Sequence, residues 1–377
     1  MGLLDVFKKS SASDRLPKIS KPKLIARIGE EEHPPQQVRN ADGGRMVEDW
    51  SEGKSGAIWT GRFLGGGKVI LSSGKPGFQL WDGQTGALKT TIQMPDFESA
   101  GVILESIDIS HDYNSFASYG RRPRPGTKFH DYVAWLHRVS ALTDPTELPA
   151  IKKDEYLFNG IRFLPRPNRV VRSSPRLLEL IDTERNQVID SLTFKSHINM
   201  RLSEDGARVF VGWDNGVAVV DCSNDKLSRV ADLDLPPSLL HFGIVDNAGK
   251  TIFISSRSEG ARTGVYAGRI SAWDISTKKP LWLIETSTLN TLWRDVTSTA
   301  LHPNGDTLAC CVTEKEVVVG KKHSSASCVL LVNARDGAVR EYFKAHRNYA
   351  GPVSFSADAT QLLTVSAGES AMKLWAL

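Results

Sequence analysis

The sequence lacks any apolar run approaching the ~18 residues that a membrane-crossing helix requires, so helical insertion into a bilayer is excluded. Its first residues, Met1-Gly2-Leu3-Leu4-Asp5-Val6-Phe7-Lys8-Lys9, do not make a secretory signal. Their apolar stretch is short, is broken by Asp5 and is followed by no cleavage site. Val6 stands where the myristoylation pattern needs Ser or Thr. The expectation is a cytoplasmic protein. Cysteine is scarce too: Cys222, Cys310, Cys311 and Cys328 form no CxxC pair and no metal-ligand spacing, and read as free structural thiols. Adjacent Cys310 and Cys311 would point to opposite faces of a strand, so one of the two is expected in the core.

Catalytic signatures are missing as well. No Gly-x-Ser-x-Gly elbow occurs, and no second domain is available to house one. Gly65-Gly66-Gly67-Lys68 lacks the spacing and following helix of a phosphate loop and reads as a hairpin turn. His111-Asp112 falls in another turn, and no cluster of carboxylates suggests a metal. The expectation is a protein with no enzymatic activity and no cofactor.

What is present begins with the charge. The net charge of +4 is carried by residues 1–23, where Lys8, Lys9, Arg15, Lys18, Lys21 and Lys23 face only Asp5 and Asp14. The body is neutral, which disfavours a dedicated nucleic-acid binder, since such proteins concentrate positive charge to displace counterions. Residues 1–22 are read as a flexible basic tail. A second reading makes Leu3, Leu4, Val6 and Phe7 the apolar side of a short docking peptide or surface anchor.

Residues 59–377 are dominated by a repeat. Turns such as Ser203-Glu204-Asp205-Gly206, Asp246-Asn247-Ala248-Gly249 and His302-Pro303-Asn304-Gly305-Asp306 precede short apolar strands, and supply the left-handed backbone of tight hairpins. Third strands align at Phe78–Asp82, Tyr132–Trp135, Leu178–Asp182, Val217–Asp221, Ile270–Asp274, Val329–Asn333 and Met372–Trp375. Taking Phe63, Ile109, Phe163, Leu202, Val245, Leu301 and Phe355 as equivalent first-strand anchors gives a period of roughly 50 residues, as propeller blades require. With Trp81-Asp82-Gly83-Gln84-Thr85-Gly86, Trp273-Asp274-Ile275-Ser276-Thr277 and Lys373-Leu374-Trp375, the chain resembles the WD-repeat family. The resemblance implies an all-β, seven-bladed β-propeller and a non-enzymatic scaffold for protein–protein interaction within a larger assembly. The family's buried His–Ser/Thr–Asp–Trp network is approached only in the last repeat, by His346, Glu369 and Trp375.

The last repeat ends at Leu377 without a fourth strand. Residues 23–377 are therefore read as one domain, closed by a strand at Lys23–Ile28 that completes the last blade, with 44–50 as the competing strand. Residues 34–57 then form an extended loop.

Three connections, Tyr119–Asp131, Ser256–Arg269 and Thr313–Ser327, are long enough to suggest function, and all should open on one rim. That rim is expected to be basic and to bind partners through Arg121, Arg122, Arg124, Lys128, Arg257, Arg262, Trp293, Arg294, Lys321, Lys322, Arg347 and Tyr349. Arg and aromatic side chains suit an interaction hot spot. Offsetting acid is expected in the opposite turns, at Asp82, Asp182, Asp221, Asp274, Asp306 and Asp336. The partner class is another protein with acidic or phosphorylated segments. The same rim taking nucleic acid or phosphopeptides is the alternative, and a metal-dependent propeller hydrolase the third reading.

Overall fold

Strands that are apolar on both faces need cover on both sides, which a stack of sheets supplies. The computed structural model describes residues 22–29, 36–39, 46–49, 58–64, 67–74, 77–93, 103–110, 115–126, 130–138, 141–150, 160–174, 176–196, 198–203, 205–213, 216–235, 241–246, 248–259, 266–290, 293–314, 317–319, 322–324, 326–347, 351–366, 369 and 371–377. They form a seven-bladed β-propeller of antiparallel four-stranded sheets.

From the inside outward, blade 1 comprises Ile58–Leu64, Val69–Gly74, Gly77–Asp82 and Leu88–Gln93, and blade 2 comprises Ile103–Ile109, Ser115–Pro123, His130–Arg138 and Ala141–Glu147. Blade 3 follows with Gly160–Phe163, Arg169–Ser174, Leu177–Asp182 and Gln187–Thr193, and blade 4 with Asn199–Leu202, Arg208–Trp213, Gly216–Asn224 and Lys226–Asp234. Blade 5 uses His241–Val245, Thr251–Glu259, Tyr266–Asp274 and Lys279–Glu285. Blade 6 uses Trp293–Leu301, Thr307–Glu314, Ser327–Asn333 and Val339–His346. Blade 7 has Val353–Phe355, Gln361–Ser366 and Ala371–Ala376, and its outer strand is Lys23–Gly29 from the other end of the sequence. One short helix, Thr286–Leu289, lies between blades 5 and 6, and no helix among the described residues is long and apolar enough to cross a membrane.

The register is regular. Phe63, Ile109, Phe163, Leu202, Val245, Leu301 and Phe355 each pair with the equivalent residue of the second strand: Ile70, Phe116, Val170, Val209, Ile252, Leu308 and Leu362. Second and third strands, such as Arg208–Trp213 and Ser327–Asn333, are buried on both faces, while outer strands such as Gln187–Thr193 are largely exposed. Seven apolar clusters fill the seven gaps between blades. This two-sided cover corrects the expectation for the paired cysteines: both are buried, Cys310 against blade 5 and Cys311 against blade 7. Burial pushes the Cys222 and Cys311 thiols up to about 12, and Cys310 higher still.

Closure occurs at Lys23–Gly29, which pairs with Ala371–Ala376; the competing segment instead supplies Met46–Asp49, which pairs with Gln36–Arg39 as a separate hairpin. Residues 34–57 are thus not a plain loop. Ile28 enters the gap between blades 7 and 1 beside Ile70, Trp81 and Met372, whereas Leu24 on the same strand is 46% exposed. Gly86 makes room for this strand: it has φ +72°, and a Cβ there would lie 2.5 Å from the Ala26 Cβ and 2.9 Å from the Ile28 Cγ1. Ile28→Ala is expected to lower unfolding free energy by about 2–5 kcal/mol, and Leu24→Ala by less than about 0.5 kcal/mol. Urea titration of the two variants measures the difference, and equal effects would mean that the seam does not contribute to the core.

Candidate functional site

In an antiparallel sheet alternate connections leave the same end. The hairpins between second and third strands therefore share one face with the connections between blades. Three of these hairpins are tight, at Gly74–Gly77, Ser174–Leu177 and Trp213–Gly216. Three project further. The strands of blade 2 continue paired out to Pro123 and His130, and those of blade 5 out to Glu259 and Tyr266. Blade 6 adds a small hairpin, Val317–Val319 with Lys322–Ser324, beyond Glu314 and Ser327. The long loops expected at Tyr119–Asp131, Ser256–Arg269 and Thr313–Ser327 are therefore mostly β-ladder. Alternation through Arg121-Arg122-Pro123 continues the strand, because the Pro stands where the ladder ends.

The topology assigns the described members of the expected partner set to this face. Arg121, Arg122 and Arg124 lie in the blade 2 hairpin, Arg257 near the end of the second strand of blade 5, and Trp293 and Arg294 at the start of blade 6. Lys322 is in the small hairpin, and Arg347 follows the outer strand of blade 6. For Arg121, Arg257, Trp293, Arg294 and Lys322 only the backbone is described, and Lys128, Arg262, Lys321 and Tyr349 lie outside the described residues, as do residues 1–21 and His111-Asp112.

Acid shares this face. Arg122 Nη1 donates to Glu147 Oε2 at 3.1 Å, and Arg124 donates through Nε and Nη2 to Asp131 Oδ1 at 3.0 and 2.5 Å. Arg269 Nη2 is 3.0 Å from Glu285 Oε1, and Lys344 Nζ 3.6 Å from Glu314 Oε2. Apart from Glu314, whose side chain is 15% exposed, these groups are solvated, and such solvated pairs are worth roughly 0–1 kcal/mol each. Part of the offsetting acid is therefore here, in addition to the turns of the opposite face. There the aspartates cap their own turns: Asp82 accepts the amides of Gln84 and Thr85, and Asp274 accepts the Thr277 amide and the Ser276 hydroxyl. The Ser276 hydroxyl and the turn amides hold the Asp274 carboxyl at about 2.

Inside the blades, the second-strand residue two beyond each anchor partner faces the third strand. In blade 7 this is Thr364, which completes the network that His346, Glu369 and Trp375 began. The Trp375 indole N–H donates to Thr364 Oγ1 at 3.0 Å, His346 Nε2 is 2.9 Å from the same oxygen, and His346 Nδ1 is 3.1 Å from Glu369 Oε2. A neutral imidazole fits all three contacts: it donates from Nδ1 to the carboxylate and accepts the threonine hydroxyl at Nε2. Shorter versions occur at Trp81–Ser72 in blade 1, at 2.9 Å, and at His137–Ser118 in blade 2, at 2.6 Å. His137, not Trp135, occupies the tryptophan position of blade 2, stacked 4.3 Å from Phe116. Trp273 pairs with Ile252 in blade 5, where Ile254 takes the hydroxyl position, and it donates instead to Ser271. Blade 3 carries Arg172 at the hydroxyl position. It donates to Glu179 at 2.6 and 2.9 Å and to the Pro149 carbonyl at 2.6 Å, tying the incoming segment to its blade as His346 does in blade 7.

Sequence reasoning missed His137, because Trp135 lies two residues earlier, and missed the Arg172–Glu179 pair. It also missed Arg62, Asp108, Arg162 and Arg201, which each precede an anchor by one residue and so share a register position. Compared with protein-family models and with curated proteins, the chain matches none.

Burial lowers the His346 pKa from its ordinary 6.5, against the pull of Glu369. Burial works against the charge of Glu369, but His346, the Arg347 amide and Lys373 outweigh it and hold that carboxyl at about 2. Both groups bind protons more readily in the unfolded chain, so acid destabilises the fold. Stability should fall as pH drops below 6.5 through His346, and again from 4.5 toward 2 through Glu369. His346→Gln should flatten the first segment of a stability–pH curve. Thr364→Val, which strands the Trp375 N–H, should cost about 1–3 kcal/mol at pH 7. Denaturant titrations across pH test both.

Proposed function

We propose that the protein is a non-catalytic interaction scaffold of the WD-repeat kind, working in a larger cytosolic assembly and docking a protein partner on the face that bears the projecting hairpins. The single observation that carries this reading is the extension of three hairpins on one face as paired β-ladder, beside tight turns in blades 3 and 4. A ladder is ordered before a partner arrives, so binding costs less conformational entropy than it would for loops. The chemistry favours acidic or phosphorylated segments. The Arg122–Glu147 and Arg124–Asp131 pairs are solvated and exchangeable, and a partner's carboxylate or phosphate can take the place of the internal acid. Arg121, Arg257, Arg294, Lys322 and Arg347 belong to strands and connections that reach the same face.

The triple variant Arg121→Glu, Arg122→Glu, Arg124→Glu, compared with wild type in affinity purification from the native cell, tests the reading. Selective loss of a co-purifying protein is expected with an unchanged melting temperature, since exposed charges alter stability by less than about 0.5 kcal/mol. An identical set of co-purified proteins would remove the blade 2 hairpin from the site. Steep salt dependence of binding to RNA or DNA would replace the protein partner with a nucleic acid.

A further inference from the structure

The blade 2 hairpin extends past the strand that covers its outer side. Ser115–Pro123 and His130–Arg138 stay paired without a register shift, whereas the outer strand Ala141–Glu147 reaches only as far as Trp135, opposite Glu147. The Leu148 amide adds one bond to the Ala134 carbonyl, at 2.9 Å. Pro149 comes next. It has no N–H, and its carbonyl accepts Arg172 Nη1 of blade 3 at 2.6 Å, so the chain leaves for the next blade at this point. Among the described residues, no strand pairs with the outer side of His130–Tyr132.

Alternation decides which groups lie on that side. The Ala134 carbonyl points outward to Leu148, and along a strand the N–H and C=O groups change sides with each residue. Tyr132 and His130 therefore turn their backbone groups outward, while Val133 and Asp131 turn theirs to the other half of the hairpin. On the inner side the matching position belongs to Pro123, opposite His130, which has no N–H to offer. Elsewhere in the ring each outer strand is offset by a register shift against its third strand. Proteins blunt strand edges in these ways unless an edge is to be paired. The outer side of His130–Tyr132 carries neither device.

The two faces beside this edge differ. Tyr132 stacks on Tyr119 with ring centroids 5.9 Å apart, on the side of blade 3. Asp131 lies on the other face, and Arg122, which pairs with it, reaches across to Glu147. From Tyr119 to Asp131 the sequence carries Arg121, Arg122, Arg124 and Lys128 against the single acid Asp131.

We propose that the outer edge of the blade 2 hairpin takes an extended acidic segment of the partner protein as an added β-strand. This inference deepens the reading of the hairpin face and rests on it. His130 and Tyr132 exchange backbone hydrogen bonds with the segment, and a β-branched or aromatic residue packs beside Tyr132. Acidic residues at the alternate positions lie on the face of Arg122 and compete with Glu147 for it.

Fluorescence anisotropy of the full chain with a short labelled peptide of alternating Val and Glu tests the assignment. Saturable binding is expected, with the Val residues beside Tyr132 and their N–H groups turned to the hairpin. N-methylation of the Val residues should weaken binding by at least about tenfold, as loss of two hydrogen bonds predicts. N-methylation of the Glu residues should change it by less than about twofold, because those N–H groups face away. A Val–Lys peptide should bind at least about tenfold more weakly than Val–Glu. Tyr132→Pro removes an outward N–H and keeps the inward ladder, so it should weaken binding by about fivefold beyond Tyr132→Ala. The methylated peptides act on the wild-type chain and need no variant. Absence of saturable binding, equal effects of the two methylation patterns, or a Val–Lys peptide that binds as well would each overturn the proposal. So would a concentration-dependent dimer that Tyr132→Pro abolishes, since the edge would then belong to a second copy. In purification from the native cell, a partner lost by the triple Glu variant but kept by Tyr132→Pro would leave the hairpin face standing and sink the added strand. A partner kept by both would sink the face itself.

Discussion

Every blade depends on being covered on both faces, and a ring is the only arrangement of such sheets in which none is left at an end. The seam between Lys23–Gly29 and Ala371–Ala376 joins the two ends of this ring. It combines a ladder of backbone hydrogen bonds with the insertion of Ile28 into the gap between blades 7 and 1. Without it the edge of Ala371–Ala376 would be open, an edge competent to pair with another chain. Elsewhere the outer edges are blunted by a common device. In all seven blades the pairing of the third with the outer strand shifts register near the same level, at Trp81, His137, Ile181, Val220, Trp273, Val332 and Trp375. Bulges there twist the exposed edge away from flat pairing.

That level also carries the variable interior of the blades. Blades 1, 2 and 7 join a hydroxyl to an indole or imidazole two register steps along the facing strand, blade 3 holds an ion pair, and blades 4 and 6 carry Val211 and Val220, and Cys310 and Val332, at the same diagonal positions. The apolar versions need no partner, whereas each polar version is satisfied by a particular neighbour and so fixes one spacing between strands. In blades 3 and 7 the polar group also grips the segment arriving from the preceding blade, through Pro149 or His346. A chain can dispense with most of these networks because burial on both faces supplies the cohesion. The networks remain where a connection has to be anchored.

The architecture was legible because a roughly fifty-residue period constrains every blade at once. Seven anchors from Phe63 to Phe355 could be aligned without any one motif being strong, and the closing strand followed from the missing fourth strand of the last repeat. What was obscure were features that depend on register to within one or two residues. Trp135 draws the eye as the expected tryptophan, yet the pairing of Phe116 with His137 gives that position to the histidine. The register position shared by Arg62, Asp108, Arg162 and Arg201 was hidden for the same reason. Arg62, Arg162 and Arg201 are about forty or more residues apart and form no run, so composition cannot reveal them. The hairpins were misjudged as loops because Arg, Pro and Gly signal irregular structure locally, while the ladder is held by a partner strand that local reading does not see.

The hairpin face and the channel therefore differ in how their charged groups are held. On the hairpin face Arg122 and Arg124 stand in solvent beside Glu147 and Asp131, so their contribution to any contact is screened and depends on arrangement over a broad surface. In the channel Arg62 is no less exposed than those two, but it meets the buried Asp108 of the next blade, so its contact is set by inner strands that cannot move without disturbing neighbouring blades. Arg201 is held from blade 4 to blade 6 through Ser298, which also accepts the Val353 amide of blade 7. A charge fixed in that way is preorganised, and it couples the inner strands of blades that are not neighbours. The same blade stacking that stabilises the ring thus also sets the geometry of the charged contacts between its inner strands.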